Sequence, residues 1–305
     1  MISRKSLHRA ALLGTMALAL LSSAAYTQNS YPTPEDAAAA LAAAVKSGPS
    51  DILKVLGKAA GDIVSSGDEV ADADTRQRFT SMYDTKHSVK TEGNKKATLM
   101  LGPDGFPFPI PLVNTKTGWE FDIDEGRIEV LYRRIGRNEL DAIQTCLAFV
   151  DAENEYADKD RGEGVGVYAQ RIVSTPRKKD GLFWRDDSDP SPLGALAAEA
   201  SAEGYKAGAA GPTPYHGYYF RILKGQGSDA PGGALNYVVK GKMIGGFGLI
   251  AWPAEYGNSG VMTFLINHGG TVYQKDLGTR TRFIAQRTTL FDPDQTWKKV
   301  DAVNP

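Results

Sequence analysis

The sequence predicts an α+β protein of two lobes, and three patterns carry that reading. Helix-start signals and one-sided apolar stretches run from Thr33 to Tyr83, and the pattern then changes to alternation between Lys96 and Ile123. A second helical stripe over residues 137–156 precedes a further group of alternating segments that ends near Gln274. Helices followed by antiparallel strands, twice over, place a helix-plus-sheet lobe at 34–135. A long helix packed on an antiparallel β-meander follows at 136–305.

The chain begins with a different signal. Arg4, Lys5, His8 and Arg9 precede an apolar run over residues 10–21, and the small residues Ser22, Ser23, Ala24 and Ala25 follow. That order predicts a secretory signal peptide cut near Ala25, with a short linker over 26–33. A membrane span needs about 20 apolar residues and this run is shorter, so no anchor is expected after cleavage. The expected location is the periplasm or the exterior.

In the first lobe Thr33 is placed to cap a helix. Pro34 suits its first position, and Glu35 and Asp36 lie at the positive end of its dipole. The alanine-rich stretch carries the helix to Val45, and Gly48-Pro49 stops it. Ser50 and Asp51 open a second short helix through Leu56, and residues 74–83 form a third with Phe79, Met82 and Tyr83 on one side. Strands are expected over 96–101, 108–113 and 119–123, with a polar turn at 114–118. Pro107, Pro109 and Pro111 fall at alternate positions, so their missing N–H groups share a side, which suits an edge strand. Helices followed by a curved sheet resemble cystatin and nuclear-transport-factor folds.

The second lobe opens on the helix over 137–156, with Leu140, Ile143, Leu147, Val150 and Tyr156 as its apolar stripe. Cys146, the only cysteine, lies beside that stripe and reads as a small buried hydrophobe. One cysteine excludes a disulfide within the chain. Residues 180–215 are rich in Pro, Gly, Ala and Asp and hold one short helix over 193–203. Strands follow over 218–223, 237–239, 247–252, 261–267 and 271–274, separated by glycine-bearing turns such as Pro231-Gly232-Gly233 and His268-Gly269-Gly270. Both alternating faces of 261–266 are apolar, which makes that strand central and covered on both sides.

Composition narrows the partners. The chain is 42% hydrophobic, enough for a real core, and its net charge of −1 argues against nucleic acid or an anionic membrane surface. There is no H-E-x-x-H, and Gly162-Glu-Gly-Val-Gly166 follows a helix where a nucleotide loop would follow a strand. No cofactor is expected.

Candidate chemistry is sparse. His87, His216 and His268 remain after the leader, and Ser259 sits one residue out of step with a G-x-S-x-G elbow, as a turn residue would. Acidic groups at Asp122, Asp124, Glu125 and Glu129, and at Asp186, Asp187 and Asp189, could supply oxygens to calcium. Neither has the spacing of a calcium-binding loop. Paired carboxylates for glycoside cleavage would be spatial neighbours, which spacing does not reveal. The aromatic group Tyr215, Tyr218, Tyr219, Phe220, Trp252 and Tyr256, with His216 among it, is the candidate binding face, core packing being the alternative.

Long motifs carry a family resemblance. Pro214-Tyr-His-Gly-Tyr-Tyr-Phe-Arg221, Pro231-Gly-Gly233, Gly245-Gly-Phe247 and Trp252-Pro-Ala-Glu-Tyr-Gly-Asn-Ser-Gly-Val-Met-Thr-Phe264 resemble the bacterial family catalogued as domain of unknown function 2950. Tyr31-Pro-Thr-Pro-Glu35, Phe108-Pro-Ile-Pro-Leu112 and Arg134-Ile-Gly-Arg-Asn-Glu139 fit it too. That resemblance implies a secreted or periplasmic protein of unassigned activity. Asn138-Glu139, Ala142-Ile143, Ala152-Glu153 and Tyr156 are similar to the stalk helix of type IV pilins and pseudopilins. The later order Gly217-Tyr218-Tyr219-Phe220, residues 249–253, Thr263-Phe264 and Gly270-Thr-Val-Tyr273 resembles their globular head. The pilin resemblance makes Asp186, Asp187 and Asp189 the better calcium candidate, since some pseudopilin heads hold calcium in an acidic loop.

The expected function is a non-catalytic binding or interaction module of the cell envelope, whose partner is an envelope protein or polymer. The alternatives are an exported hydrolase of cell-wall or polymer material, with His216 or His268 beside carboxylates, and a small-ligand carrier with a cavity in the first lobe.

Overall fold

The computed structural model describes residues 28–186, 188–203, 205 and 213–300. The expected leader with its expected cleavage point, and Asp187, lie outside the described residues.

The first lobe starts where its capping signals place it. Thr33 Oγ1 accepts the N–H of Asp36 at 3.0 Å and opens α1 (Pro34–Ser47), and α2 (Pro49–Leu56) begins after Gly48. Their inner faces, including Ala37, Leu41, Ile52 and Val55, bury against Ala97, Leu112, Trp119 and Phe121 of the sheet. A short turn over Lys58–Ala60 leads into α3 (Gly61–Val64) and then α4 (Glu69–Thr85). This last helix starts earlier than its apolar stripe suggests, because Asp68 Oδ1 caps it by accepting the N–H groups of Val70 and Ala71, each at 3.1 Å. No residue of α4 is fully buried.

Five strands form the first sheet: β1 (His87–Glu92), β2 (Lys96–Leu101), β3 (Phe106–Pro107), β4 (Leu112–Asn114) and β5 (Trp119–Phe121). The path is β1-β2-β4-β5, with β3 also on β2. The β1 strand escapes sequence reading because it exposes every residue but Val89, which is half-buried. The strand expected over 108–113 is interrupted. Its prolines remove ladder donors, and between the two short strands only the Phe108 N–H still reaches β2, at Leu99 O, 2.8 Å.

The helix α5 (Ile123–Ala157) is 35 residues long and starts far upstream of the expected helix. Asp122 leaves the β5 strand to cap it, its Oδ1 accepting the N–H of Glu125 at 3.0 Å. The lobe boundary expected at 136 therefore falls inside a helix shared by both lobes. At Gly126 a Cβ would come within 2.7 Å of the Ile110 Cα, so the first half of α5 is pressed against the first lobe. The second half buries Ala142, Ile143, Cys146, Phe149 and Val150. Leu140 and Leu147, expected in that stripe, are 48% and 36% exposed. Ile143, Val150 and Tyr156 of the expected stripe are inside, and Ala142, Cys146, Phe149 and Ala152 complete the buried line in place of the two leucines. Among the described residues no helix is long and apolar enough to cross a membrane.

The second lobe adds α6 (Gly194–Glu203), β6 (Tyr218–Leu223), β7 (Gly225–Gln226), β8 (Leu235–Asn236), β9 (Val238–Val239) and β10 (Lys242–Met243). It continues with β11 (Gly248–Pro253), β12 (Met262–Asn267), β13 (Tyr273–Asp276), α7 (Thr281–Arg287) and β14 (Lys298–Lys299). The main sheet is antiparallel in the order β14-β13-β12-β11-β6. The strand expected over 237–239 stays out of it: Val238 and Val239 form β9, which pairs with β10, and β7–β8 is a second small ladder beside it in sequence. β12 is central and covered on both faces, as expected. Phe264 and Ile266 share a core with α5, and Leu265 packs with Trp252, Ala285 and Phe291 on the other side.

Candidate functional site

Between α4 and the first half of α5 lies a cavity of about 510 Å³, in the size range of small-molecule sites. Its floor is apolar: Leu41 and Val45 come from α1, Ile52 and Leu56 from α2, and Ile63 from α3. Leu101, Phe108 and Ile110 close the sheet side, and Phe79 and Met82 of α4 form the roof. The cavity exists because α4 settles over the sheet without burying any residue completely. Its apolar side chains stand half-buried over a floor whose own residues are mostly buried.

Charge gathers on the outer wall. Asp72, Thr75, Arg76, Phe79 and Met82 recur at three- and four-residue spacing on α4, and Val130, Arg133, Arg134 and Arg137 do so on α5. Each helix therefore turns a mixed face to the cavity. Three of the arginines that line it are engaged. Arg134 donates to Asp62 O at 2.8 Å, to Ile63 O at 2.6 Å and to Asn258 Oδ1, and burial lowers it below the ordinary arginine value. Arg133 pairs with Glu129 at 2.6 Å and lies 4.7 Å from the Phe106 ring centre, and Arg78 pairs with Asp74 at 2.7 Å. Arg76 and Arg137 make no side-chain hydrogen bond or ion pair among the described residues. Desolvation, and then the charge of Arg78, lower Arg137 from its usual value against the opposing pull of the Asp141 and Asp74 carboxylates.

The aromatic residues expected on a binding face divide. Tyr218 and Trp252 are buried, Tyr218 donating to Met262 O at 2.9 Å inside the sheet. Tyr215, His216, Tyr219, Phe220 and Tyr256 are half-buried. Tyr219 packs beside Trp252, with ring centres 5.7 Å apart. Alternation on β6 sends Tyr218 to the α5 side and Tyr219 to the α7 side of a sheet covered on both faces.

His216 does meet carboxylates. Its Nδ1 lies 3.4 Å from Asp141 Oδ2 and its Nε2 3.2 Å from Glu203 Oε2, with the backbone in the left-handed region at φ 47°. The Ser259 hydroxyl is not free to join it: it is buried, donates to Gly217 O at 2.9 Å and accepts the Glu255 N–H at 3.0 Å, while the Tyr205 hydroxyl accepts the His216 backbone N–H at 3.2 Å and donates to Asp68. His268 rests edge-on against Tyr237 and Phe247, and His87 stacks on Tyr83. Asp186 and Asp189 converge, as a cation site would require, but on the Lys179 ammonium, at 2.9 and 2.8 Å. Those bonds draw both carboxylates below the usual range and put a protein cation between two carboxylates of the calcium candidate. Among the described residues no group of three His, Cys, Asp or Glu is placed to hold a metal.

A second cavity, of about 420 Å³, is polar and lies beside the end of α5 among Tyr156, Arg161, Tyr168, Arg171 and Lys224. Arg161 is folded between the rings of Tyr156 and Trp184. Beneath this end of the helix Glu153 is wholly buried. Its Oε2 accepts the Ala169 N–H at 2.8 Å while Oε1 has no partner, and burial raises it well above the ordinary glutamate value.

The sequence does not mark the arginines of α4 and α5 as site residues, although Arg134 and Arg137 fall within a family motif. The signal that could have found them is the pairing of apolar and arginine positions on one helix face, Arg76 with Phe79 and Val130 with Arg133, Arg134 and Arg137. Comparison with known proteins matches residues 28–300 to the family described as "Protein of unknown function (DUF2950)". No curated protein and no solved structure matches the chain.

Proposed function

The chain belongs to the DUF2950 family, and we propose that it is a non-catalytic binding protein whose first lobe holds the apolar body of a small molecule between α4 and α5. One observation carries this reading: a cavity of about 510 Å³ walled by aliphatic and aromatic side chains. Apolar cavities take apolar guests readily, because the guest restores dispersion contacts without displacing bonded water. The expected signal peptide would deliver such a carrier to the envelope.

The other two readings have less behind them. With Tyr218 and Trp252 inside the sheet, an aromatic contact face keeps only half-buried rings. A hydrolase would need a nucleophile or an activated water beside His216, and the Ser259 hydroxyl is committed to the backbone.

Ligand-induced thermal shift tests the carrier reading. Long-chain alcohols and alkyl aromatics should raise the melting temperature in proportion to their occupancy. Met82→Trp, which places an indole in the cavity from its half-buried roof, should abolish the shift while the variant still melts cooperatively. If no apolar compound stabilises the wild type, or if the tryptophan variant responds equally, the cavity is not the binding site.

A further inference from the structure

We infer that the ligand of this cavity is an amphiphile, an acyl or alkyl chain ending in an anionic head, with the head held at the mouth between Arg76 of α4 and Arg137 of α5. This inference rests on reading the cavity as a ligand site and adds the chemistry of what enters it. The lining carries five arginines against a single carboxylate, Asp72. Both oxygens of that carboxylate already accept the Ser66 N–H, at 3.2 and 3.0 Å. Three arginines are engaged with carboxylates or carbonyls, as described above. Two guanidinium groups are left, on neighbouring helices, at the exposed edge of an otherwise apolar wall. Guanidinium groups without a hydrogen-bond partner beside low-dielectric surface bind anions strongly, since an anion there gains charge-assisted hydrogen bonds that bulk water would screen. Depth is sorted to match. Leu41, Ile52, Leu56, Leu101 and Ile110 are buried at the floor, while Arg78 and Arg137 are exposed and Arg76 half-buried at the rim. A neutral apolar guest would leave both guanidinium groups without a hydrogen-bond partner, and a small inorganic anion would leave the floor unfilled.

Carboxylate and phosphate heads share this chemistry, so the test separates them. Hexadecanoate, hexadecyl phosphate and hexadecanol are titrated below their micelle concentrations into wild type, Arg76→Gln/Arg137→Gln and Arg76→Lys/Arg137→Lys, with Kd read by displacement of a bound fluorophore. Wild type should prefer at least one anion to the alcohol by about tenfold, a preference that falls with added salt. The glutamine variant should lose it with alcohol affinity unchanged, and the lysine variant should keep most of it. The better anion names the head. Equal affinity for alcohol and anions, or a preference that survives in the glutamine variant, overturns the anionic head and leaves the apolar site standing. Failure of all three compounds to bind overturns both readings. An unchanged melting temperature in the glutamine variant separates lost binding from lost fold.

Discussion

Asp68 of the first lobe holds Gly217 of the second: its Oδ2 accepts the Gly217 N–H at 2.9 Å in a buried position. The same oxygen accepts the Tyr205 hydroxyl at 2.8 Å, while Oδ1 caps α4. One carboxylate thus sets both the start of the helix that roofs the cavity and the seat of the second lobe against it. The two ends of this link give separate predictions.

Asp68→Ala should destabilise the protein by about 2–4 kcal/mol, a lost helix cap of about 1 kcal/mol plus the cost of leaving buried donors unpaired. Urea unfolding measures it. A loss below about 0.5 kcal/mol would mean that water replaces the carboxylate without cost.

Gly217→Ala should be at least as damaging as the loss of a cap. The residue sits at φ +74°, and a Cβ there would lie 2.5 Å from Asn138 Nδ2 and 3.0 Å from the Ser259 Cβ. Asn138 is itself held by donating to Ser259 O at 2.8 Å, so it has little freedom to yield. Poor soluble expression or a melting temperature lower by several degrees is expected, and a variant as stable as wild type would show that this junction relaxes.

Glu153 makes stability depend on pH in a stated direction. Burial raises its native value above the unfolded one, so the native state keeps a proton that the unfolded chain gives up. Its contribution is complete below the unfolded value and is lost as pH rises through the native one. Glu153→Gln has no proton to lose, so its melting temperature relative to wild type should climb steadily from about pH 5 upward. A constant difference across that range would show that the side chain does not titrate between the two states.

Cys146 should be inert in the folded protein. Burial pushes its thiol up to about 12, and no atom of it reaches solvent. Labelling by a disulfide reagent at pH 8 should proceed at the unfolding rate and be accelerated by denaturant. Fast labelling of native protein would place the thiol at an accessible surface.

The buried line of α5 can be tested by contrast. Leu140→Lys and Leu147→Lys, at exposed positions, should change stability by less than about 0.5 kcal/mol. Ala142→Leu, at a position with no exposure, should cost about 1–3 kcal/mol by overpacking. The reverse ranking, read from denaturation midpoints, would restore the leucine stripe as the inner face.

Much of the first and second lobes was legible because its signals are local. The Thr33 cap, the Gly48-Pro49 stop, the alternation of β2 and the two-sided apolar pattern of β12 each involve residues within a turn or along one strand, and the structure has all four. The β1 strand was not legible, since a strand exposed along its length has no apolar alternation to display. The long helix was half legible. Its upstream part carries arginines and glycines in place of a continuous stripe, and it is helical because Asp122 caps it and Gly126 lets it lie against Ile110.

By itself the sequence determined the α+β class, most of the succession of helices and strands, and the family. Tertiary structure alone decided which face of α5 is inside, which aromatic rings are spent on the core, and that Arg76 and Arg137 stand at one cavity mouth. The physical reason is range. Capping, turn formation and alternation are free energies of neighbours in the chain and are written where they act. A cavity and its charges arise from how distant helices settle on a sheet, which depends on packing across the whole lobe.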